Sequence, residues 1–473
     1  MNAPPPAPPT VAIIGGGFSG ATVAFHLAWQ TGADEASIVV IEPRADLGRG
    51  LAYSTPDPAH RLNVPDHKMT LRTDEPQHFR RWLASPSGPL LPAGSATQGG
   101  EIFAPRAVFG DYVKAQLAPL LASGAVRHLQ TRATAVRRIP GGFGITLGDG
   151  SVLTAQLLVL AVSHPPPTLP RELAGMSADA ALIPDAYVPG ALEAIEPQES
   201  VLVIGSGLTG ADIVATLQAR GHRGPVHMLS RHGRRSQPHG PAQAETAEDF
   251  STAPEVTARA LLRRIRRALH RDAGEGLTWH AAFDRLRAQG PVIWRALPLA
   301  EQRRLVRHLR GLWDVHRFRI APQTHAAVEA MVAAGRLHPQ AGRIVATRRE
   351  GSRIAVEIRP RHYSQAPVTL TVDRIVLATG PGHSGVTETH PLLSAMAREG
   401  LVAADPLRLG LATASDGRAI NAEGAAQSDL LVAGPLARAA VGELMGLPEV
   451  TAWAEGIAGI AAAWLYRAAR QSR

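Results

Sequence analysis

Residues 11–20 of the chain read Val-Ala-Ile-Ile-Gly-Gly-Gly-Phe-Ser-Gly, and this stretch decides the fold at the N-terminus. Its four leading apolar residues are typical of a buried strand, and residues 21–29 after it have helical character. A second β-branched run follows at residues 37–41. Together these segments predict a βαβ unit with a glycine-rich turn after its first strand.

The glycines of this turn have the spacing G-x-G-x-x-G. Gly15 allows the tight turn, Gly17 lets the backbone approach a pyrophosphate, and Gly20 permits close packing of helix on strand. The helix N-terminus then offers free N–H groups to phosphates. Glu42 ends the next strand, where a carboxylate accepts hydrogen bonds from ribose hydroxyls. The turn therefore predicts a dinucleotide site, and the alternative is a glycine-rich turn without a ligand.

A second copy of the arrangement begins at residues 201–204, an apolar run followed by Gly-Ser-Gly-Leu-Thr-Gly at residues 205–210. No acid ends its second strand, and Ser230 and Arg231 stand there instead. A hydroxyl and a guanidinium suit a 2′-phosphate, which favours NADPH over NADH. The alternative is a vestigial nucleotide fold.

Composition excludes several classes of function. The 473 residues favour two or three domains, and the absence of cysteine excludes disulfides, thiolate nucleophiles and an internal dithiol relay. The net charge of +9 comes almost entirely from dispersed arginines, so we expect no nucleic-acid partner. Histidines are frequent but lack the spacing of metal ligands, so we expect no metal.

We expect no signal peptide in this sequence. Residues 1–10 are proline-rich and lack basic residues, which favours a disordered tail over a signal peptide. No apolar run is long enough to span a membrane, so we expect a cytoplasmic protein.

Further segments carry a resemblance to a known family. They read Leu-Gly-Arg-Gly-Leu-Ala-Tyr at residues 47–53, Arg-Leu-Asn-Val-Pro at 61–65, Trp-Asp-Val-His-Arg-Phe-Arg at 313–319, Ala-Thr-Gly at 378–380, and Leu-Leu-Val-Ala-Gly-Pro at 430–435. With the two glycine motifs, the chain resembles the bacterial FAD/NAD(P)-binding family related to class B flavoprotein monooxygenases, which includes flavin N-hydroxylases. The resemblance implies FAD as the first cofactor and NADPH as the second.

The resemblance also implies an architecture: an α/β fold with two Rossmann-like dinucleotide-binding domains, a discontinuous FAD domain and a helical insertion. After the tail, we place the first part of the FAD domain at residues 11–170 and its second part at residues 373–473. The NAD(P) domain takes residues 171–372, including the insertion at 240–335, to which we assign no role.

The predicted cofactor site combines both glycine motifs with the segments that the resemblance places near the flavin. Residues 48–65 would pass near its ring, and Gly434-Pro435 with the following helix start would close the site near the pyrimidine edge and stabilise the anionic reduced flavin. The predicted cofactor-binding residues are Gly15, Gly17, Phe18, Ser19, Gly20, Glu42, Arg49, Gly50, Gly205, Gly207, Thr209, Gly210, Ser230, Arg231, Gly380, Gly434 and Pro435.

Two departures leave the subclass open. Residues 161–164 read Ala-Val-Ser-His where the family has Ala-Thr-Gly before a proline pair, so the first inter-domain linker is atypical. The Baeyer–Villiger fingerprint is not found, and the substrate-binding residues of N-hydroxylases cannot be mapped onto this chain.

The catalytic candidates are His60 and Asn63, which lie in the segment expected beside the flavin. Either could hydrogen-bond a flavin intermediate or the nicotinamide, and the alternative for each is capping of a loop. A second group near Trp313 could form an anion-binding wall for an acidic substrate, although an arginine-rich helix surface with tryptophan in the core is the preferred interpretation. Its members are His308, His316, Arg317 and Arg319.

These patterns predict an FAD-dependent, NADPH-using oxidoreductase. We expect a monooxygenase that uses molecular oxygen and acts through a C4a-hydroperoxyflavin on a small nucleophilic substrate such as an amine. One alternative is an NADPH-dependent reductase that passes electrons to a quinone or a protein acceptor. Another is a non-catalytic FAD-binding protein. The substrate and the oligomeric state stay open.

Overall fold

A computed structural model describes residues 8–32, 35–162, 165–361, 366–380, 382 and 385–471. The strands in this part of the chain are β1 Thr10–Ile14, β2 Ser37–Ile41, β3 Val126–Leu129, β4 Ala133–Ile139, β5 Gly142–Leu147, β6 Val152–Ala155, β7 Leu157–Leu160, β8 Leu182–Ile183, β9 Val201–Ile204, β10 Val226–Ser230, β11 Leu337–Glu350, β12 Arg353–Pro360, β13 Val368–Val372, β14 Arg374–Leu377, β15 Arg418–Ile420 and β16 Ala426–Val432.

The α-helices of the same residues are α1 Phe18–Gln30, α2 His78–Leu83, α3 Arg106–Ala122, α4 Leu208–Ala219, α5 Ala258–Gly274, α6 Trp279–Ala288, α7 Gly290–Ala296, α8 Leu299–His308, α9 Arg310–Arg317, α10 Pro322–Ala333, α11 Val386–Thr389, α12 Pro391–Arg398, α13 Arg438–Val441 and α14 Glu449–Gln471. Short 3₁₀ turns lie at Asp66–Lys68, Arg171–Met176, Ala191–Ala194 and Pro435–Ala437. Among the described helices, none combines the length and apolarity needed to cross a membrane.

The first glycine motif sits in a six-stranded sheet with the order β15-β16-β7-β1-β2-β3, in which all neighbours but β15 and β16 are parallel. The apolar residues of β1 and β7 are almost completely buried, as expected for parallel strands covered on both faces. Helices α1 and α14 pack against each other beside this sheet, so the C-terminal helix completes the N-terminal domain. A separate antiparallel sheet has the order β4-β5-β6, and its first hairpin turns at Gly141 and Gly142.

The second glycine motif sits in a seven-stranded sheet with the order β13-β12-β11-β10-β9-β14-β8. Its strands from β8 to β11 are parallel, and β12 and β13 extend it as an antiparallel meander. Each of the two predicted nucleotide domains therefore has its own sheet. The chain leaves the first sheet after β7 and returns to it with β16, which makes the first domain discontinuous.

The structure moves three of the predicted boundaries. Strand β14 pairs with β8 and β9, so the second domain continues past residues 372–373 to Leu377. Residues 240–257 contain no helix, and α10 packs on α4 within the second domain, so α5 to α9 form the insertion. Thr10 already pairs with Ser37 in β1, and residues 1–7 of the predicted tail lie outside the described residues.

The two chain crossings between the domains run side by side. The N–H of Gly382 donates to the carbonyl of Pro166 at 3.3 Å, which joins the outgoing crossing to the returning one. A Cβ on Gly382 would lie 2.4 Å from Thr168 Oγ1, so the two segments touch. Ser163 and His164 of the atypical linker lie outside the described residues.

Candidate cofactor and substrate site

The turn between β1 and α1 admits only glycine at two positions. Gly15 has a φ of +101°, and a Cβ there would lie 2.4 Å from the carbonyl oxygen of Ala161. A Cβ on Gly20 would lie 1.9 Å from the carbonyl oxygen of Gly15. The strand, turn and helix are thus packed backbone against backbone, as the nucleotide-binding fingerprint requires.

Glu42 lies at the end of β2, directly beside the glycine turn. One carboxylate oxygen accepts the N–H of Gly16 at 2.9 Å, and the other accepts the N–H of Arg44 at 3.1 Å. The side chain is buried. The oxygen that binds Arg44 also accepts from Nη1 of that residue at 3.3 Å, whereas the oxygen that binds Gly16 has a second lone pair for a further donor. This position suits the predicted contact with ribose hydroxyls, which stays a prediction.

The segment at residues 47–53 folds back onto the same turn. The N–H of Gly48 donates to the carbonyl of Gly16 at 2.8 Å. A Cβ on Gly50 would lie 3.0 Å from the Cα of Gly17, so the two glycines face each other across a narrow gap. The predicted Arg49 forms ion pairs with Asp46, at 3.3 Å, and with Asp111.

A third segment reaches the start of α1 from the C-terminal part of the chain. A Cβ on Gly434 would lie 2.4 Å from Ser19 Oγ, so this glycine touches the first turn of the helix. Pro435 then opens a 3₁₀ turn that leads into α13. The structure thus brings together the predicted Gly15, Gly17, Ser19, Glu42, Gly50 and Gly434. The N-terminus of α1 has no side-chain cap, so its N–H groups fit a pyrophosphate.

The second glycine turn repeats this construction. Gly205 has a φ of +123°, and a Cβ there would lie 2.1 Å from the carbonyl oxygen of Ala378. A Cβ on Gly210 would lie 2.6 Å from the carbonyl oxygen of Gly205. By contrast, no atom lies within 4 Å of a Cβ placed on Gly207, so the front of this turn is open. Gly380, with a φ of +75°, follows the neighbouring strand β14.

Ser230 and Arg231, at the end of β10, differ in whether their side chains are engaged within the protein. Ser230 Oγ accepts the N–H of Gly233 at 3.0 Å, so this hydroxyl stabilises the turn. Arg231 is exposed and forms no ion pair within the described part of the chain. Its guanidinium is therefore available to an anionic ligand, as its predicted contact with a 2′-phosphate requires. Thr209 Oγ1 lies 3.4 Å from the hydroxyl oxygen of Tyr187.

The catalytic candidate Asn63 lies where the two domains meet. Its backbone carbonyl accepts a hydrogen bond from Nε2 of His239, a residue of the second domain, at 3.0 Å. Burial lowers the pKa of His239 to about 4, so the ring is neutral at physiological pH. The half-buried side-chain amide of Asn63 makes no hydrogen bond to another described residue. Its catalytic role stays a prediction.

The other candidate, His60, is also at this interface but is fully engaged there. Its ring is buried, with Nδ1 at 2.7 Å from Thr55 Oγ1 and Nε2 at 3.1 Å from Thr216 Oγ1. Thr216 belongs to α4 of the second domain. Burial lowers the pKa of His60. This arrangement favours a structural contact between the domains over proton transfer.

Sequence reasoning missed the polar cluster beside His60. Arg106, at the start of α3, donates to Asp212 of α4 at 2.6 Å and to the hydroxyl of Tyr187 at 3.1 Å. That hydroxyl in turn donates to Asp212 at 2.8 Å. The backbone N–H of Arg106 donates to the carbonyl of His60 at 2.9 Å. The cluster links the loop that contains His60 to α4, the helix that follows the second glycine turn, and no local sequence pattern marks it.

The helical insertion and the segment 438–445 together line a mainly apolar cavity of about 360 Å³ that is partly open to solvent. Two tryptophans attach the insertion to this segment: Trp294 Nε1 donates to the carbonyl of Ala439 at 2.8 Å, and Trp313 Nε1 donates to Glu443 at 3.3 Å. Desolvation raises the pKa of Asp314, in the cavity wall, to about 6. Sequence reasoning placed Trp313 in a helical core but did not foresee a cavity.

The suggested anion-binding wall does not form as a set of free cations. Arg317 is buried and lies 3.4 Å from Glu449, and Arg319 pairs with Asp284 at 2.7 Å. The ring of His316 stacks on Phe283, with centroids 4.9 Å apart, and His308 is exposed. The aromatic residues pack together as the preferred interpretation expects. Arg317, however, is buried in an ion pair and does not belong to an exposed helix surface.

Comparison with known proteins agrees with this geometry. Residues 12–165 match the model of a family described as FAD-NAD(P)-binding. No curated protein matches the chain by sequence.

Solved structures share the fold along nearly the whole chain. L-lysine 6-monooxygenase from Pseudomonas syringae is 20% identical, with a TM-score of 0.64 over 97% of this chain and 99% of that one. An ornithine N-hydroxylase from Kutzneria sp. 744, in a complex with reduced FAD, NADP⁺ and L-ornithine, is 16% identical, with a TM-score of 0.63 over 97% and 99% of the two chains. Thioredoxin reductase from T. acidophilum is 12% identical, with a TM-score of 0.50 over 98% and 99%. The chain therefore has the two-domain flavoprotein fold.

Proposed function

We propose that this chain, a two-domain flavoprotein by fold, is an FAD-dependent, NADPH-using monooxygenase that hydroxylates the nitrogen of an amine. The observation that carries the proposal is the pair of glycine turns. Each turn follows a buried parallel strand, holds a glycine whose Cβ would strike a backbone carbonyl, and opens a helix without a side-chain cap. Two such turns on two sheets give one chain two dinucleotide sites.

The first site would hold FAD. The free N–H groups at the start of α1 and the backbone of Gly17 and Gly50 would bind the pyrophosphate. Glu42, fixed by the N–H of Gly16, would accept the ribose hydroxyls. Gly434 and Pro435 reach the same helix start from the C-terminal part of the domain and would face the flavin end of the cofactor.

The second site would hold NADPH. The start of α4 offers uncapped N–H groups, and the open front of Gly207 leaves room for phosphate oxygens. The exposed Arg231 would pair with the 2′-phosphate, which NADH lacks.

The flavin, when bound, supplies the two-electron activation of oxygen that hydroxylation of an amine requires, with NADPH as the source of hydride. The protein contributes position and the exclusion of water. The contacts of His60 with Thr216 and of Asn63 with His239 hold the two domains together next to the predicted site. The cavity beside the segment 438–445 offers a mainly apolar wall for a substrate.

The structural likeness to thioredoxin reductase concerns the fold and does not favour a dithiol reductase. The chain has no cysteine, so it cannot pass electrons through an internal cysteine pair. A reductase that uses a quinone or a protein acceptor has no such requirement, and the experiment must separate it from a monooxygenase.

The test is NADPH oxidation by the purified, FAD-loaded protein across a panel of amines, with hydrogen peroxide and products measured alongside. We expect one class of amine to accelerate NADPH oxidation and to gain one oxygen atom, detected by mass spectrometry as the hydroxylamine. Incorporation of ¹⁸O from labelled oxygen gas would identify the source of that atom. Oxidation that accelerates only with quinones, without an oxygenated product, would overturn the proposal in favour of a reductase.

A further inference from the structure

The cavity of the helical insertion has the make-up of a small-molecule site. Helices α5 to α9 supply most of its wall, and their contribution is mainly apolar, with the aliphatic residues Leu261, Leu262, Ile265, Ile293, Leu305 and Leu309. Its volume of about 360 Å³ lies in the range of ligand sites, which are mostly apolar with a few convergent polar groups. The cavity is partly open to solvent, so a small molecule can enter it from outside.

The charged groups of the cavity wall are Arg266, Arg310 and Asp314 of the insertion and Arg438 and Glu443 of the segment 438–445. Among them, Arg438 has an unused donor. Arg438 is 4% exposed, and its Nε donates to the carbonyl of Leu409 at 3.1 Å. Its Nη1 lies 3.2 Å from the sulfur of Met445, whereas its buried Nη2 makes no hydrogen bond within the described part of the chain. Burial lowers the pKa of Arg438 to about 10, which leaves the guanidinium charged at neutral pH.

An unused acceptor accompanies this donor. Glu443 Oε2 accepts from Trp313, but the buried Oε1 has no hydrogen-bond partner among the described residues. The nearest cation to Oε1, Arg317 Nη2, is 3.7 Å away, which is beyond hydrogen-bond distance. Buried polar atoms without partners are costly, so a guanidinium and a carboxylate left in this state on one cavity indicate a ligand that completes them.

The segment with these two groups also leads to the predicted flavin site. Gly434 touches Ser19 at the start of α1, and the turn Pro435–Ala437 connects it directly to Arg438. The wall segment that contains Arg438 and Glu443 therefore lies close along the chain to Gly434, which contacts the start of α1. A ligand with its head group here would extend its body away from that turn, among the insertion helices.

We propose that the cavity binds a free α-amino acid with a large apolar side chain. Its carboxylate would accept from Arg438 Nη2, its α-nitrogen would donate to Glu443 Oε1, and its side chain would fill the apolar volume. One head group thereby satisfies both unpartnered atoms. Lysine and ornithine would have to place a second charge among leucine and isoleucine side chains, which is unfavourable unless Asp314 of the same wall pairs with that charge.

The reaction of such an amino acid rests on the proposed function, N-hydroxylation by a monooxygenase. The neutral α-amine would gain an N–O bond to one oxygen atom of O₂, and the O–O bond would break. The second oxygen atom would leave as water, with two electrons from NADPH and one proton from solvent. The nitrogen-bound proton that is displaced would be retained in the hydroxyl group of the N–OH product.

Binding is tested separately from turnover, by isothermal titration calorimetry on the FAD-loaded protein. The probes are L-phenylalanine, 3-phenylpropionate, which lacks the amine, 2-phenylethylamine, which lacks the carboxylate, and L-lysine. We expect L-phenylalanine to bind at least ten-fold more tightly than each of the other three. Equal or tighter binding of L-lysine would overturn the proposal.

Two variants locate the binding. Leu262→Trp places a larger side chain in the cavity wall and should reduce the affinity for L-phenylalanine at least ten-fold. The matched control is Leu299→Trp, on the exposed face of α8 outside the cavity, which should leave the affinity unchanged. Arg438→Met should weaken the binding of L-phenylalanine but not the binding of 2-phenylethylamine, which lacks the carboxylate. If that variant fails to fold, the two tryptophan variants decide, and unchanged affinity in Leu262→Trp contradicts the proposal.

The outcomes separate this inference from the proposed function. Tight, Leu262-dependent binding of L-phenylalanine without any hydroxylated product would support the cavity assignment and count against N-hydroxylation. Hydroxylation of L-lysine or another small amine, without binding of L-phenylalanine, would support the proposed function and overturn the cavity assignment.

Discussion

Arg106 and Asp212 form an ion pair across the boundary between the two nucleotide domains, with 2.6 Å between Nη2 and Oδ2. Arg106 begins α3 of the first domain, and Asp212 lies in α4, the helix that the second glycine turn opens. Both side chains are largely buried, and the hydroxyl of Tyr187 contacts each of them. The relative position of the two nucleotide sites therefore depends on a desolvated charge pair.

Asp212→Asn should destabilise the protein and slow the reduction of flavin by NADPH. The variant leaves Arg106 buried without a full counter-charge, which costs about 3 kcal/mol. The free energy of chemical unfolding and the rapid-mixing rate of flavin reduction are the measurements. The control is Glu350→Gln, which removes the partner of Arg348 in an exposed pair and should cost less than about 1 kcal/mol. Equal changes in unfolding free energy and in reduction rate for the two variants would show that the ion pair between Arg106 and Asp212 does not stabilise the domain contact.

Gly17→Asp should abolish retention of FAD, because a carboxylate there meets the pyrophosphate with like charge in a partly desolvated turn. The matched variant is Gly207→Asp in the second turn, where the open front accepts a side chain. It should keep FAD and lose NADPH-dependent reduction. Flavin content by absorbance and cofactor identity by mass spectrometry distinguish the two. The same flavin occupancy in both variants would count against the assignment of the first turn to FAD.

Arg231→Glu should weaken the use of NADPH and leave the use of NADH nearly unchanged. A charge-assisted contact with the 2′-phosphate contributes about 1.5–3 kcal/mol, or roughly a ten- to hundred-fold change in kcat/KM. The control is Arg220→Glu, another exposed arginine of the same domain, after the end of α4. Equal losses for the two nucleotides would show that Arg231 has only a structural role.

Asn63→Ala should separate the two half-reactions if the amide acts on oxygen chemistry. Flavin reduction by NADPH would stay nearly intact, while more hydrogen peroxide would be released per NADPH consumed. Loss of one buried hydrogen bond costs about 1–3 kcal/mol, or roughly a five- to hundred-fold change in rate. A slower reduction step with constant peroxide would instead place Asn63 at the nicotinamide. Unchanged rates with a lower melting temperature would remove it from the active site.

His239→Asn should weaken the dependence of stability on pH below neutrality. Burial lowers the pKa of His239 from 6.5 to about 4, an effect that Arg319 and Lys68 reinforce and Asp284 opposes. Between these values the unfolded chain binds a proton that the folded chain does not, so the folded state loses stability as pH falls from 6.5 to about 4. This loss amounts to about 3 kcal/mol at most. Melting temperatures across this range should fall less in the variant, whereas His308→Asn, at an exposed site, should follow the parent protein.

The sequence predicted well the features that local physics controls. The glycine turns follow from conformations and close approaches that only Gly15, Gly20, Gly205 and Gly210 permit, and such constraints leave a readable spacing. Strand β11 was missed because Pro339 and Gly342 interrupt it. Its first residues pair with β10 and the rest pair with β12. Because it pairs with two different strands in turn, it lacks the regular apolar and polar alternation of a single strand.

The features that sequence reasoning did not reach are the non-local ones. Strand β14 is a short apolar run whose residues do not specify which sheet it joins. Asp212 is 106 positions from Arg106, and neither residue has a spacing that indicates the other. The cavity arises from the fit of five helices against a distant segment, and side-chain periodicity on each helix reports only that one face is buried.

The discontinuity of the first domain has a consequence for how the chain is made. Strand β7 emerges from the ribosome long before β16, its partner, and about 270 residues separate the two. At ~5–20 residues per second, the ribosome needs roughly 15–50 s to make them. Until then β7, four aliphatic residues that end up without solvent exposure, is an open sheet edge in the nascent protein. The interval in which this protein is most prone to aggregation therefore falls during its own translation, and it ends when the last strand closes the sheet that the first one began.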